Sequence, residues 1–242
     1  MDYDPTRYGR EWAQDYDVWE NNGEEETAAA VARLLELAAG RPVLEVGAGT
    51  GRVAIPLAHA GARVTATDVS PDMIDVLQRK DPDGCVDARV EGMECITGGP
   101  YGLIANLLSS ILMVREPGKQ LAALRSAAAA LEIGGLLVVE MVELIPAPLP
   151  PQEVSLAGAP PTTVWGEYDD RTGLRTFHHR REDGETRTTV LRRLTYAELL
   201  GGAIAAGLTP IGLELGWDGT PFLPGTVRQP SERLVATFRR DH

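Results

Sequence analysis

Three closely spaced glycines carry the clearest chemical signal in the chain. Gly47, Gly49 and Gly51 follow a short apolar run at 43–46 and precede an amphipathic segment that opens at Arg52. A strand, a glycine turn and a helix start in this order leave backbone N–H groups accessible to a nucleotide-like ligand. Glycine suits such a turn because a Cβ atom would block close approach and would resist positive φ. The stretch therefore predicts a binding site for a ligand of this kind.

The spacing of the glycines distinguishes between nucleotide ligands. A dinucleotide fingerprint has its third glycine five positions after the first, but Arg52 occupies that position and the motif is G-x-G-x-G. Glu45 lies two residues before the motif, and Asp68 closes a second strand-like run. A carboxylate there can accept hydrogen bonds from both ribose hydroxyls. This pattern resembles the class I S-adenosylmethionine-dependent methyltransferases, whose signature is E/D-x-G-x-G-x-G followed by a later acid.

The resemblance implies S-adenosylmethionine as cofactor and S-adenosylhomocysteine as product. Glu45 and the glycine turn would hold the methionine portion, and Asp68 the ribose. Relatives often have an aspartate where this chain has Met93, so adenine recognition is expected to use backbone groups near Gly92 and Met93, or Glu94. Thirteen residues are expected to bind the cofactor: Tyr8, Tyr16, Glu45, Gly47, Ala48, Gly49, Gly51, Asp68, Val69, Met73, Gly92, Met93 and Leu108.

Strand-like and helix-like segments alternate as far as residue 142. Five apolar runs have the length of buried strands: 43–46, 63–67, 86–90, 103–108 and 136–142. Such alternation indicates an α/β fold with a doubly wound, mostly parallel sheet, and its ligand lies beyond the carboxyl ends of the strands. The resemblance adds an antiparallel hairpin at 209–215 and 234–239, which gives a seven-stranded Rossmann-like methyltransferase fold.

The alternation stops at residue 146. Residues 146–161 contain six prolines and no helical period, which predicts a linker or an extended loop. The runs at 163–168, 175–181 and 186–194 then predict three antiparallel strands. We therefore expect a single domain over 1–242, with a small antiparallel β insertion at 146–194 that covers the acceptor site.

Aromatic side chains are concentrated in the polar N-terminal stretch 1–23, where they include Tyr3, Tyr8, Trp12, Tyr16 and Trp19. The stretch 13–17, the Leu-Ser-Ser sequence at 108–110 and the insertion resemble small-molecule N-methyltransferases, among them those that dimethylate deoxyamino sugars in antibiotic pathways. In that group a leading aromatic segment folds over the cofactor and a tyrosine lies near the methyl group. The resemblance implies that 1–23 forms a lid, with Tyr16, and also Tyr8, on the methyl side.

The acceptor is expected between this lid, the end of the fifth strand and the insertion. Six side chains are candidates to line its pocket: Ser109, Glu140, Glu143, Trp165, His178 and His179. Adjacent histidines on a strand point to opposite faces, so at most one of them can face the pocket and accept a proton. The catalytic candidates are therefore Tyr16, His178 and His179, and an exposed hairpin position is the alternative for each histidine.

Composition excludes or disfavours several classes of protein. The net charge of −12 disfavours nucleic acid as a partner, and the longest apolar run, 103–114, is too short to span a bilayer. Cys85 and Cys95 form neither a disulfide framework nor a metal-ligand spacing, so no metal is expected. The acidic, aromatic N-terminus does not resemble a signal peptide. A cytoplasmic monomer or homodimer is expected.

Together these features predict an enzyme that transfers a methyl group from S-adenosylmethionine to a small molecule. An amine nitrogen is the expected acceptor atom, and in-line displacement is the expected mechanism, in which orientation alone can supply about 7–11 kcal/mol of the barrier. Methylation of oxygen, carbon or the α-amine of a peptide stays open as an alternative. A protein that binds S-adenosylmethionine without methyl transfer is a further alternative.

Overall fold

The computed structural model describes residues 6–19, 23–154, 161–222 and 233–242. These ranges contain seven α-helices: α1 Arg7–Trp12, α2 Tyr16–Trp19, α3 Glu24–Ala38, α4 Ala54–His59, α5 Pro71–Lys80, α6 Pro117–Ala130 and α7 Tyr196–Ala205. They also contain twelve strands: β1 Val43–Val46, β2 Val64–Asp68, β3 Val86–Val90, β4 Tyr101–Asn106, β5 Leu131–Val142, β6 Leu149–Val154, β7 Thr162–Asp169, β8 Leu174–Arg181, β9 Thr186–Arg192, β10 Leu208–Leu215, β11 Thr220–Pro221 and β12 Arg233–Arg240. Short 3₁₀ turns cover Met93–Cys95 and Ser110–Met113.

The central sheet confirms the predicted α/β architecture. Its strand order is β11-β10-β12-β5-β4-β1-β2-β3, in which β1 to β5 pair in parallel. β12 runs antiparallel between β5 and β10, as the predicted hairpin requires. The two-residue strand β11 makes the sheet eight-stranded rather than seven-stranded. It pairs with the end of β10 because the chain turns back through Gly216 and Gly219, both at positive φ.

Helices cover both faces of the sheet, which is why β1 and β4 are buried along their whole length. Successive residues of a strand point to opposite faces, so the core has two halves. Val43 and Leu103 pack beneath α3, α4 and α5, whereas Leu44 and Ile104 pack beneath α6 and α7. This two-sided burial explains why both strands are continuous apolar runs.

The insertion forms a second, four-stranded antiparallel sheet with the order β6-β7-β8-β9. Three of its strands lie where the sequence predicted them. The fourth, β6, corrects the interpretation of 146–161 as a linker or loop, because Leu149–Val154 pairs with the edge of β7. Pro150 and Pro151 interrupt the register there, since proline cannot donate to a ladder and is tolerated at sheet edges. Residues 155–160 lie outside the described part.

Two boundaries next to the central sheet differ from the prediction. β4 ends at Asn106 rather than 108, because Leu108 and Ser109 adopt left-handed φ values of 50° and 61°. β5 begins at Leu131, five residues before the predicted start, and includes the glycine pair at 134–135. Its pairing with β4 is irregular there.

The N-terminal segment, residues 6–19, packs against the start of α5. Trp12 is fully buried with Ala13, Met73 and Val76. Tyr8 and Tyr16 pack beside this cluster, while Tyr3 and the Trp19 side chain lie outside the described part. None of the described helices is long and apolar enough to cross a membrane.

Candidate active site

A cavity of about 580 Å³ opens at the carboxyl ends of the parallel strands. It is lined by twelve of the thirteen residues expected to bind the cofactor, from Tyr8 in α1 to Leu108 after β4. The exception is Gly51, where an added Cβ atom would lie 2.7 Å from Leu77 Cγ. Gly51 therefore serves helix packing behind the turn, whereas Gly47 and Gly49 face the cavity.

Asp68 ties the glycine turn to the end of β2. Its Oδ2 accepts a hydrogen bond from the backbone N–H of Gly49 at 3.0 Å, and its Oδ1 accepts from the N–H of Ser70 at 2.9 Å. Burial raises the pKa of Asp68, although these N–H groups act in the opposite direction. Each oxygen keeps a second lone pair that can accept from a hydroxyl. Asp68 can thus hold the glycine turn in place and, at the same time, accept hydrogen bonds from the two hydroxyls of a diol.

Glu45 is a buried acid with unused hydrogen-bonding capacity. Its side chain is 4% exposed, and within the described residues its Oε2 has no hydrogen-bond donor. Burial raises its pKa to about 8, although Arg52 acts in the opposite direction. A buried acceptor without a donor is costly, so Glu45 suits a ligand that brings a cationic donor. The methionine ammonium of S-adenosylmethionine is such a group.

The left-handed turn at Leu108 and Ser109 forms one wall of the cavity and is held by Glu140. The Glu140 Oε2 accepts from the N–H of Leu108 at 2.9 Å, and its backbone carbonyl accepts from the N–H of Ser109 at 3.0 Å. Its Oε1 accepts from Trp217 Nε1 at 3.1 Å and pairs with Arg233 at 3.2 Å. Consecutive left-handed residues other than glycine are strained. The hydrogen bonds to Glu140 hold Leu108 and Ser109 in this conformation.

Two acceptor candidates therefore have structural partners. Glu140 is 1% exposed and bonded on both oxygens, and it is absent from the cavity wall. Glu143 pairs with Arg193 at 3.3 Å and accepts from the N–H of Tyr196 at 3.4 Å. The expectation that either carboxylate contacts an acceptor is not supported by this arrangement. Ser109 does line the cavity, with its Oγ accepting from the N–H of Val142.

The N-terminal segment closes one side of the cavity. Tyr8, Gly9 and Tyr16 line it, and α1 lies so close to α5 that a Cβ atom on Gly9 would overlap Ser70. Asp17 fastens the segment to the glycine turn and to α5. Its carboxylate accepts from Thr50 Oγ1 at 2.6 Å and pairs with Lys80 at 2.6 Å.

The insertion sheet holds the same segment from the other side. Arg187 of β9 makes two hydrogen bonds to the Asp15 carboxylate, at 2.5 and 2.9 Å. Its guanidinium lies 5.4 Å from the Trp12 ring centroid. Thr189 and Leu191 follow Arg187 at intervals of two along β9 and so share its face of the strand, and both line the cavity. One strand face thus contacts both the N-terminal segment and the cavity.

Neither histidine of the insertion lines the cavity. His179 lies on the inner face of the second sheet, edge-on to Trp12 at 5.1 Å, and burial lowers its pKa to about 4. His178 lies on the opposite face, stacked on Trp165 at 4.9 Å. The alternation expected along the strand is present, but the inner histidine packs on the N-terminal segment. The structure therefore gives no support to the prediction that His178 or His179 is catalytic.

Comparison with known proteins supports the activity that the sequence predicts. Residues 43–135, which contain the glycine turn, Glu45 and Asp68, match the family described as Methyltransferase domain. The chain is an S-adenosylmethionine-dependent methyltransferase. S-adenosylmethionine is its cofactor, and the diol acceptor at Asp68 and the orphaned Glu45 oxygen fit its ribose and ammonium groups.

Three relatives show how far the similarity extends. A cypemycin N-terminal methyltransferase from a Streptomyces species is 28% identical over 83% of this chain and 84% of its own. The CcbJ methyltransferase from Streptomyces caelestis is 26% identical, with a TM-score of 0.87 over 99% of this chain and all of its own. An amino pentose methyltransferase from Micromonospora echinaspora shares the fold, with 18% identity and a TM-score of 0.71 over 93% and 94% of the two chains.

Several residues of the cavity in this methyltransferase were not predicted. They lie beyond the cofactor motif: Arg52, Met113, Val114, Arg115, Glu116, Lys119, Val142, Thr189, Leu191 and Arg233. Thr189 and Leu191 are two residues apart on a predicted strand, so the sequence already indicates that they share one face. That this face meets the cavity was not predictable, because it depends on how the second sheet packs on the first.

Glu140→Gln is expected to destabilise the methyltransferase by about 1–3 kcal/mol, because an amide NH₂ would face one of the buried donors that the carboxylate now satisfies. Denaturant unfolding measures the change. Glu143→Gln is the matched control, since Glu143 is about one-quarter exposed and such a pair contributes less than about 1 kcal/mol. Equal losses in the two variants would contradict the assigned role of Glu140.

Proposed function

We propose that the enzyme methylates an amine nitrogen of a small molecule, by in-line displacement at the methyl group of S-adenosylmethionine. One observation carries this proposal. The N-terminal segment and strand β9 border the same cavity as the glycine turn, so one cavity can hold both the cofactor and the acceptor. We assign the N-terminal segment as a lid, within the stretch 1–23, and the insertion at 146–194 as the cover of the acceptor site.

The size of the cavity supports a small acceptor. Its volume of about 580 Å³ lies within the range of about 300–1,000 Å³ for small-molecule sites, and the cofactor takes part of it. We assign the acceptor to the side lined by Met113, Val114, Val142 and Leu191, which offer it apolar surface. The net charge of −12 supports the prediction that nucleic acid is not the acceptor.

The names of two relatives support nitrogen as the proposed acceptor atom. The Streptomyces relative is named an N-terminal methyltransferase, and the Micromonospora enzyme is an amino pentose methyltransferase. The first name favours a second candidate, the α-amine of a peptide. The cavity volume of about 580 Å³ favours the small molecule, since most of a peptide would have to lie outside the cavity.

We assign Tyr16, with Tyr8 beside it, to the methyl side of the cavity. Their ring centroids are 6.3 Å apart in an edge-on arrangement, next to Gly49 and Met73. Aromatic walls fix the approach of an amine without giving it a proton acceptor. Among the described residues, the carboxylates of Glu91, Glu94 and Glu116 line the cavity but no histidine does, and we propose that the amine reacts in the neutral form that it brings from solution.

The pH dependence tests this mechanism. At saturating cofactor, kcat/KM for an amine acceptor is expected to rise tenfold per pH unit and to level off near the pKa of that amine. Two acceptor amines of different pKa should therefore level off at different pH values. Profiles that level off at one common pH would place the proton acceptor on the enzyme instead.

The acceptor can be identified with S-adenosylmethionine labelled in its methyl group. The enzyme is incubated in parallel with amino sugars, with short peptides that have a free α-amine, and with hydroxyl analogues of both, and the label is followed by mass spectrometry. Label on the amino sugars alone supports the proposal, and label on peptides alone supports the second candidate. Label on the hydroxyl analogues would overturn nitrogen as the acceptor atom.

A further inference from the structure

Three potential metal ligands meet at the amino end of β3, on the side of the sheet away from the cavity at the carboxyl ends of the strands. His59 is the last residue of α4, Asp81 follows α5, and Cys85 precedes β3. One ligand atom of each lies within 4.8 Å of the other two. None of the three lines the cavity. We propose that they bind a zinc-class divalent cation, at a site separate from the methyl-transfer chemistry.

The geometry needs only small adjustments of two side chains. Ligand atoms about 2.0–2.3 Å from a tetrahedral zinc ion are about 3.5 Å apart, so each pair, now within 4.8 Å, has to approach by at most about 1.3 Å. His59 and Cys85 are exposed and can make this movement, whereas Asp81 is 5% exposed and is already fixed. Its oxygens accept from the N–H groups of Cys85 and Val86 at 3.1 and 2.8 Å, and each keeps a lone pair for a metal.

The ligand types determine the class of metal. A thiolate and an imidazole favour Zn²⁺ and similar transition metals, whereas Mg²⁺ and Ca²⁺ prefer sites made of oxygen atoms. Binding releases the Cys85 proton to the buffer as the sulfur–metal bond forms, and water completes the fourth position.

The cation would join two chain segments, the end of α4 and the loop between α5 and β3. The loop after α5 turns at Gly84, which has a positive φ, and leads directly into the edge strand β3. A metal bound by His59, Asp81 and Cys85 joins this loop to the end of α4. We therefore expect zinc to stabilise the folded protein against heat without changing its affinity for the cofactor.

Cobalt binding tests the site directly, because Co²⁺ replaces Zn²⁺ and a Co²⁺–thiolate bond absorbs in the near ultraviolet. The reduced, chelator-treated protein is titrated with CoCl₂ and then with ZnCl₂. One equivalent of Co²⁺ is expected to produce the thiolate band, and Zn²⁺ to remove it. Cys85→Ser should abolish the band and His59→Ala should weaken binding at least tenfold, whereas Cys95→Ser, which changes the other exposed cysteine, should keep it.

Thermal unfolding gives a second readout. ZnCl₂ is expected to raise the Tm of the wild-type protein and of Cys95→Ser but not of Cys85→Ser, and MgCl₂ should raise none of them. Absence of the band in the wild type, or an unchanged band in Cys85→Ser, would overturn the proposal. Calorimetry with S-adenosylhomocysteine should give the same affinity for the wild type and Cys85→Ser, so this test is independent of the acceptor and of methyl transfer.

Discussion

Replacing Glu45 by glutamine is expected to lower the affinity for S-adenosylhomocysteine about ten- to a hundredfold, and to make the ligand-free protein more stable at alkaline pH. The first effect follows from the loss of a charged hydrogen bond to the ligand ammonium, which contributes about 1.5–3 kcal/mol. The second follows from burial, because a neutral amide avoids the cost of a buried carboxylate whose Oε2 has no donor in the described part of the chain.

The sign of the pH effect comes from the raised pKa of Glu45. The ordinary value is 4.5, and burial raises the pKa to about 8 in the folded protein. Between these pH values the folded protein holds a proton that the unfolded chain has released. The contribution of Glu45 to stability is therefore fully present below about pH 4.5 and is lost as the pH rises towards 8. Each pKa unit corresponds to about 1.4 kcal/mol, so the loss should be measurable in Tm.

Ligand binding should reverse this shift. An ammonium group beside Glu45 favours the carboxylate form, so binding at pH 7 should release close to one proton from the wild type and fewer from Glu45→Gln. Calorimetry in buffers of different ionisation enthalpy measures the released protons. Thermal unfolding at pH 5, 7 and 9 measures the stability.

Glu132→Gln is the control for these measurements, since Glu132 lies outside the cavity and pairs with Arg41 at 3.4 Å. Unchanged affinity and proton release in Glu45→Gln would show that Glu45 does not contact the methionine portion of the cofactor.

Arg187→Gln is expected to speed the release of S-adenosylhomocysteine about tenfold and to raise KM for S-adenosylmethionine. Arg187 is 12% exposed and holds Asp15 through two hydrogen bonds, which contribute about 1.5–3 kcal/mol when charged. Asp15 is the neighbour of Tyr16 at the cavity. Loss of this contact should open the proposed lid more often, without altering the glycine turn or Asp68.

Displacement kinetics with excess unlabelled ligand measure the release rate, and a double-mutant cycle with Asp15→Asn isolates the pair. Arg171→Gln is the matched control, because Arg171 lies in the turn between β7 and β8 of the same sheet but is 85% exposed, with its guanidinium 3.8 Å from the Asp169 carboxylate. A variant Arg187→Gln with normal release kinetics but lower global stability would show that the contact braces the fold and does not control ligand exchange.

Local patterns were sufficient for the cofactor half of the molecule. A strand, a glycine turn and a helix start are set by neighbouring residues, and the acid at the end of β2 follows at a fixed distance along the chain. Sequence alone therefore indicated the α/β sheet, the family and the cavity-facing positions of Glu45, Gly47, Gly49 and Asp68. Gly51 was the exception, since its role is decided by its contact with Leu77, which lies in α5.

Tertiary structure decided the acceptor half, because its contacts join segments that are far apart in the chain. The period of a strand shows that His178 and His179 face opposite ways, but only the packing of the second sheet turns His179 onto Trp12 and Thr189 towards the cavity. Likewise, the sequence alone suggests a free acid at Glu140, near the end of a strand. In the structure, Trp217 and Leu108 donate hydrogen bonds to its carboxylate. His59, Asp81 and Cys85 have no ligand spacing in the sequence, and they meet because α4 and α5 end at the same edge of the sheet.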